Sequence, residues 1–409
     1  MNVSGWRIDP SITFLNHGSF GACPEGVVAA QARWRDRIEA NPVRFLARDL
    51  EGCLDAARRT VGDFLHADRD GLAFVPNATT GVSTVLRSLR FERGDELLTT
   101  DHEYNAIGNA LNAAALRDGA RVVVAPVPFP IHDEDDVVGP ILAAVTPRTR
   151  LAVISHVTSP TALVLPIEAL VGELRRRGVD TLVDAAHAPG MVPLDLDRLG
   201  PAYWTGNGHK WMCGPKGSGI LWVREDRRDL IHPLVWSHGL NDPRPPDGTR
   251  SRFRVEFDWP GTVDPTPYLA LADAIGVVEA LAPGRGGWPA IQASNHALAV
   301  DGIGRVAAAL GAAAPVPEPL LGSMASIELP VEPTEAAADA LNLALADEDR
   351  IEVPITPWPV RAARGDGAPR KVLLRISAQL YNEPADYDRL AEALARRLNR
   401  STGGRLRPR

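Results

Sequence analysis

Two residues of this 409-residue chain have types that could do covalent chemistry together: Asp184 and Lys210, 26 positions apart. Asp184 ends the apolar run Thr181-Leu182-Val183. A carboxylate there is costly unless it is paired or sits at a sheet's rim. Lys210 follows Gly206-Asn207-Gly208-His209 and precedes Trp211. A lysine amine can lose its proton and attack a carbonyl, which an arginine cannot do. An ionised carboxylate can keep a pyridine nitrogen protonated. Pyridoxal phosphate (PLP) chemistry needs both: the lysine holds the cofactor as a Schiff base, and the protonated ring accepts electrons when a bond at the substrate's Cα breaks. Taken alone, the pair is better read as a strand-end Asp in a capping turn and a surface lysine.

The lysine count sharpens the reading. Only Lys210, Lys216 and Lys371 occur, and arginine supplies the other positive charges. Most of those arginines are then replaceable solubility charge, and a lysine kept against the bias is a better candidate for chemistry. A phosphate would need its own site. Asn77-Ala78-Thr79-Thr80-Gly81 follows a strand and opens a helix, where backbone N–H groups among small side chains make an anion site. The same residues also suit an ordinary helix cap. No G-x-x-x-x-G-K-[ST] is present, and Gly206-Asn207-Gly208 lacks the later glycine of a dinucleotide fingerprint.

The elements that must position these residues alternate. Strands are expected at Leu72–Val75, Glu96–Thr99, Arg121–Ala125, Arg150–Ser155 and Thr181–Asp184, with helices at Thr79–Leu89, Ala106–Arg117, Pro140–Val145 and Glu168–Arg176. This pattern implies an α/β fold with a mostly parallel sheet sandwiched by helices. Ligands in such sheets sit beyond the carboxyl ends of the strands. Pro76–Thr79, Thr100–Tyr104, Asp184–His187 and Thr205–Lys210 all lie just past apolar runs. Residues from about His238 to Pro267 read as a long loop rich in Pro, Gly, Asp and Arg, of a length that is often functional. A helix near Tyr268–Leu281 leads into a second, smaller α/β domain with strands near Ala325–Leu329 and Val372–Ile376 and a last helix at Ala385–Arg397. Between these, Pro359–Pro369 reads as a flexible Gly/Arg-rich segment. The expected organisation is an N-terminal segment 1–25 against the site and the small domain, a large domain 26–267 and a small domain 268–409.

Several ordered runs resemble isopenicillin N epimerase and its relatives. They are Asn16-His17-Gly18-Ser19-Phe20-Gly21, Thr100-Asp101-His102-Glu103-Tyr104, Ser155-His156-Val157-Thr158-Ser159-Pro160-Thr161, Asp184-Ala185-Ala186-His187-Ala188-Pro189-Gly190 and Gly208-His209-Lys210-Trp211. That group lies in the class V aminotransferase branch of fold-type I PLP enzymes, beside the cysteine desulfurases. The resemblance covers about residues 12 to 265 and returns at Arg375-Ile376-Ser377-Ala378. It implies PLP as cofactor, Lys210 as the Schiff-base lysine, Asp184 on the pyridine nitrogen and His187 at the ring's phenolic oxygen. Tyr104 would stack on the ring, with His102 competing for that place. Ala78, Thr79, Asn207 and His209 would form the phosphate cup. Ser159 stands where relatives often carry Asn near the ring oxygen. Thr262 would reach the phosphate of a neighbouring subunit, implying a homodimer with shared sites. Arg375 would clamp the substrate carboxylate, and Asn16 and His17 would line the substrate entrance. Arg44, Arg48, Trp236 and His238 are candidate specificity residues, each better read as structural.

The reaction stays open between classes. β-Elimination from an S-substituted cysteine, as in C–S lyases of natural-product pathways, and epimerisation at Cα both start with Lys210 removing the Cα proton. Transamination and decarboxylation with oxidative deamination are further alternatives, as are a non-catalytic PLP scaffold and an α/β binding protein. Elimination is favoured because no unambiguous second acid, needed for epimerisation, stands out. Desulfurases of this branch carry a mobile-loop cysteine shortly before the carboxylate-binding arginine, and Asp347 to Arg375 holds none. The net charge of −7 argues against nucleic acid as a partner. Arg405, Arg407 and Arg409 read as a solvated tail. Cys23, Cys53 and Cys213 suggest neither a disulfide framework nor a zinc site. No apolar run suits a membrane span, and Met1–Pro10 lacks the pattern of a signal peptide, so a cytoplasmic enzyme is expected.

Overall fold

The computed structural model describes residues 5–243, 250–282, 284, 286–313, 316–364 and 367–402. Its strands are β1 (Thr13–Phe14), β2 (Leu72–Val75), β3 (Glu96–Thr100), β4 (Arg121–Ala125), β5 (Thr149–Ser155), β6 (Asp180–Ala185), β7 (Tyr203–Asn207), β8 (Gly219–Val223), β9 (Met324–Glu328), β10 (Ile351–Glu352), β11 (Ile355–Trp358) and β12 (Lys371–Ser377). Seven form one sheet in the order β2-β8-β7-β6-β5-β3-β4. Strands β4, β3, β5, β6 and β7 are mutually parallel, and β8 runs against both neighbours, β7 and β2. The sheet is thus mostly parallel, as the alternation implies.

Side chains of a strand point to alternate faces, so a sheet covered on both sides needs apolar residues at consecutive positions. Leu98, Ile154 and Val183 pack into one core, while Leu97, Val153 and Leu182 pack into the other. The helix Ala78–Ser88 lies close on the second face. A Cβ at Gly81 would stand 2.1 Å from Oγ1 of Thr205 on β7, so only glycine permits that approach. The helix Thr266–Ala280 packs against the helices Glu25–Ala40 and Leu50–Leu65.

Beyond it, β11, β12 and β9 form an antiparallel sheet, and β1 pairs with β10. The 24-residue helix Gly287–Leu310 packs on β9, β12 and the last helix, Pro384–Thr402. Two expectations need correction. The stretch 238–267 is not one open loop: it holds a short turn of helix at His238–Asn241 and a helix at Arg252–Phe257. That helix forms because Ser251 caps the N–H of Arg254 while Phe253 and Phe257, one turn apart, are buried. The supposed flexible segment 359–369 contains a helix at Arg361–Arg364. Residues 244–249 and 365–366, Met1 to Ser4, and the arginines at 405, 407 and 409 lie outside the described residues.

Candidate active site

Because five strands run parallel, their carboxyl ends share one edge, and the singled-out turns meet there. Asp184 stands opposite Ser155 on β5 and Thr205 on β7. Its Oδ1 accepts the Ala186 N–H at 2.9 Å. Among the described residues no cationic side chain hydrogen-bonds or ion-pairs with it. Burial pushes its carboxyl up to about 6, against the backbone hydrogen bond and the nearby Lys210, which both pull it down. This is a buried carboxylate in want of a cation.

Lys210 sits in the turn that joins β7 to β8. Its Nζ lies 3.2 Å from Nε2 of His187. On the other side of that ring, the Trp211 indole N–H donates to Nδ1 across a long 3.4 Å. Nδ1 therefore accepts, Nε2 carries the proton, and the lysine amine must accept from it. A neutral amine can do so and an ammonium cannot. Burial and the Arg375 charge hold the Lys210 amine down to about 7, which agrees, although Asp184 pulls the other way. Burial likewise keeps His187 neutral.

The helix that would hold a phosphate begins at Ala78. Asn77 caps it by accepting the Thr80 N–H at 2.8 Å. Asn207, at the end of β7, accepts the Ala78 N–H at 2.8 Å. That contact corrects one expectation: the Ala78 N–H is committed to Asn207, so Thr79 is left to offer its N–H and hydroxyl. His209 binds the Ser218 carbonyl through Nδ1 at 3.1 Å, and burial holds it down to about 4.

Tyr104 and His102 part company. His102 is buried, with Nδ1 at 2.7 Å from Thr161 Oγ1, Nε2 at 2.9 Å from the Val127 carbonyl, and its ring against Trp358 and Phe129. It cannot stack on a ligand. Tyr104 is 47% exposed, and its phenol is near enough to act on the Arg375 guanidinium, whose value burial holds down to about 10. Arg375, on β12, donates to the Ser159 carbonyl at 2.6 Å and hydroxyl at 3.2 Å, and to Ser19 Oγ at 3.0 Å. Ser159 only accepts in these contacts, so its hydroxyl proton is left to donate to another acceptor.

His17 does not line an entrance. It is fully buried, and its Nε2 faces the Lys210 carbonyl at 3.0 Å. Asn16, beside it, keeps a buried Oδ1 with no partner among the described residues. Thr262 lies elsewhere, exposed on the rim of a groove of about 550 Å³ whose lining includes Val43, Leu46, Leu50 and His238. Arg44 pairs with Asp49 on the surface, Arg48 is exposed, and Trp236 stacks obliquely on His232.

One residue of the site was passed over. Glu103 is 2% exposed, accepts from Ser155 Oγ at 2.7 Å and from the Tyr104 N–H at 2.8 Å, and leaves Oε2 buried without a partner. Burial and the neighbouring Asp184 push it up to about 8. Its position at the end of a buried strand, among residues already quoted, was the available signal.

These residues fit PLP. Asp184 lacks a cation and a pyridinium would supply one. The Lys210 amine, held down to about 7, gives up its proton near neutrality, as attack on a carbonyl requires. Thr79 heads a helix whose N-terminus favours an anion. Cys213, by contrast, is fully buried with its thiol pushed well up, so it is no nucleophile. Among the described residues there is no group of three or more metal-ligating side chains, and no helix is long and apolar enough to cross a membrane.

Residues 21–299 match the family profile described as Aminotransferase class-V. The chain is 36% identical to the isopenicillin N epimerase of Amycolatopsis lactamdurans, covering 95% of each. It is 32% identical to a probable chloroplastic L-cysteine desulfhydrase of Arabidopsis thaliana, covering 94% of this chain and 83% of that one. Among solved structures, the cystine C–S lyase C-DES in complex with cysteine persulfide superposes with a TM-score of 0.78 at 22% identity, over 94% of this chain and 98% of that one. A cysteine desulfurase from Escherichia coli gives 0.76 at 20% identity, over 97% of each. At these identities the two structures speak for the fold alone.

Proposed function

We propose that this chain, which belongs to the class-V aminotransferase family, is a PLP enzyme that eliminates a thiol from an S-substituted cysteine. The fold is that of the fold-type I PLP enzymes. The observation that carries the reading is the arrangement of Lys210, His187 and Asp184. A neutral buried amine accepts from a neutral imidazole, beside a buried carboxylate with no cation. Bound at Lys210, PLP would supply the electron sink that stabilises charge at the substrate's Cα.

The chain's own residues do the rest. Asp184 holds the ring nitrogen's proton. His187, its proton fixed on Nε2 by Trp211, donates to the ring oxygen. Thr79, with Asn207 and His209 shaping the cup, binds the phosphate. Tyr104 covers the ring, and Arg375 takes the substrate carboxylate in a bidentate pair. Displaced from the cofactor by the substrate's amino group, the Lys210 amine would remove the Cα proton. The Cβ–S bond would break, the thiolate would take that proton and leave as the thiol, and water would hydrolyse the three-carbon remainder to pyruvate and ammonia. The desulfhydrase names among the relatives support this outcome.

Epimerisation at Cα is the second reading, supported by the epimerase relatives and by one observation. Tyr104 presents an exposed phenol near Arg375 and could return a proton to Cα. A homodimer and a cytoplasmic location belong to the same proposal. Val43, Leu240 and Val263 are exposed apolar residues in or next to the lining of the groove that carries Thr262, and a second subunit would cover them.

Incubation with S-methyl-L-cysteine in deuterated water tests the reading. Pyruvate and methanethiol are expected. Recovered amino acid with inverted configuration and deuterium at Cα indicates the epimerase instead. A protein that stays colourless after PLP is added, or a Lys210→Ala variant that develops the same visible band as wild type, overturns both.

A further inference from the structure

We propose that the N-terminal turn His17–Phe20, closed by Gly21, is a clasp that fixes Lys210 relative to Arg375, with His17 as its positioning residue. The inference rests on the PLP reading above, since it takes Lys210 as the cofactor lysine and Arg375 as the carboxylate site.

The turn touches both residues. At one end, Ser19 Oγ accepts from Arg375 at 3.0 Å, and the His17 N–H donates to Ser377 Oγ, two residues along β12, at 2.8 Å. At the other end, the His17 ring meets the Lys210 backbone. The tautomer follows from the ring's partners. Nδ1 accepts the Ala22 N–H at 3.3 Å and faces the Tyr381 hydroxyl at 2.9 Å. The Lys210 carbonyl can only accept, so its contact, the shortest of those at Nε2, puts the proton there, beside the Gln379 side-chain amide nitrogen at 3.3 Å, and Nδ1 is left to accept. The Nε2–H donates to the Lys210 carbonyl at 3.0 Å. Burial holds the ring neutral, down to about 3.

The two glycines let the turn come this close. A Cβ on Gly18 would stand 2.5 Å from Met324 Sδ and 3.4 Å from Arg375 Nη2. A Cβ on Gly21 would stand 2.4 Å from the His209 carbonyl oxygen and 2.8 Å from that of Lys210, and Gly21 also has a positive φ of 25°. Lys216, another of the three lysines, donates to the Gly21 carbonyl at 2.6 Å. Strand β12 and the turn after β7 are far apart in sequence, and this short segment contacts both. Displacing a reacting group by an ångström can cost roughly 100-fold in rate, so a contact that sets the lysine's backbone bears directly on its amine.

The test compares His17→Ala, His17→Gln and Tyr381→Phe with wild type. The rate at which PLP attaches to apoprotein is followed by visible absorbance, together with Tm. His17→Ala is expected to slow attachment about 10- to 100-fold. His17→Gln, whose amide N–H can replace Nε2–H, is expected to recover most of that rate at a Tm no higher than that of His17→Ala. Tyr381→Phe, which leaves Nδ1 only its bond to Ala22, is expected to fall between them and serves where the His17 variants do not fold. Ser19→Ala is expected to weaken the spectral response to S-methyl-L-cysteine. Attachment at the wild-type rate in His17→Ala, or in Tyr381→Phe where that is the variant that folds, overturns the clasp while leaving the PLP reading intact. A slowing that only tracks Tm, with His17→Gln no better than His17→Ala, does the same. A wild type that takes up no PLP overturns both.

Discussion

His187 Nε2 stands 3.2 Å from Lys210 Nζ with its proton directed at the amine, because Trp211 occupies the opposite nitrogen. The pair therefore requires an uncharged lysine. This sets how the protein should respond to pH and to substitution.

Burial holds the amine down to about 7, against an ordinary lysine value of 10.5. Its reactive, neutral form is then already dominant just above neutrality. The rate of PLP attachment to apoprotein should rise with pH through about 7 and level off. A rate that keeps climbing toward pH 10 contradicts the burial of this amine.

Trp211→Phe removes the donor that fixes the His187 tautomer. The imidazole proton can then move to Nδ1, leaving Nε2 without a hydrogen to offer. Loss of a positioned proton donor of this kind costs on the order of 100-fold. We expect slower attachment of PLP by up to that factor, measured at fixed pH, with a smaller change for Trp211→His.

Glu103 gives the opposite pH signature from an ordinary surface carboxylate. Its folded value is about 8 against 4.5 for the free group. Below 4.5 both states are protonated and Glu103 has no differential effect. Between 4.5 and 8 the folded state keeps a proton that the unfolded state has released, so stability falls as pH rises. Glu103→Gln should therefore gain Tm relative to wild-type apoprotein across that window, fully by about pH 8. A difference in Tm that does not change with pH shows that Glu103 is not held protonated.

Much of the site was legible in the sequence because it follows from strand ends. Leu72–Val75 and Arg121–Ala125 are strands as read, and the turns after the parallel strands carry the candidate residues Asp184 and Lys210. What escaped depends on distant contacts. His102 and Tyr104 look interchangeable until Trp358, more than 250 positions later, packs on the histidine. Glu103 reads as one more polar turn residue until Ser155 donates to it from the next strand. The helix Gly287–Leu310 was missed because its many alanines and glycines give no sharp apolar face.

Arg375→Ala should leave PLP uptake in place and raise KM for an amino-acid substrate. A charge-assisted pair to a carboxylate contributes about 1.5–3 kcal/mol, equivalent to roughly 10- to 100-fold. Steady-state kinetics will show whether the change falls on KM, as expected, or on kcat alone.

Asn207→Ala removes the oxygen that accepts the Ala78 N–H. Losing a side-chain cap typically costs about 1 kcal/mol. We expect a lower Tm and weaker PLP retention during dialysis, because the same helix turn would offer Thr79 to the phosphate.

Strand β8 is the one member of the large sheet that runs backwards, and Lys210 lies in the short connection leading into it. Asn207 and Gly219 pair across the base of that connection. Every neighbouring crossover in the parallel part must travel the length of a helix before it returns to the sheet, and extra residues there can be absorbed in a surface loop. The segment 208–218 has no such slack: both feet are stitched to adjacent strands. An insertion here would carry the lysine away from Asp184.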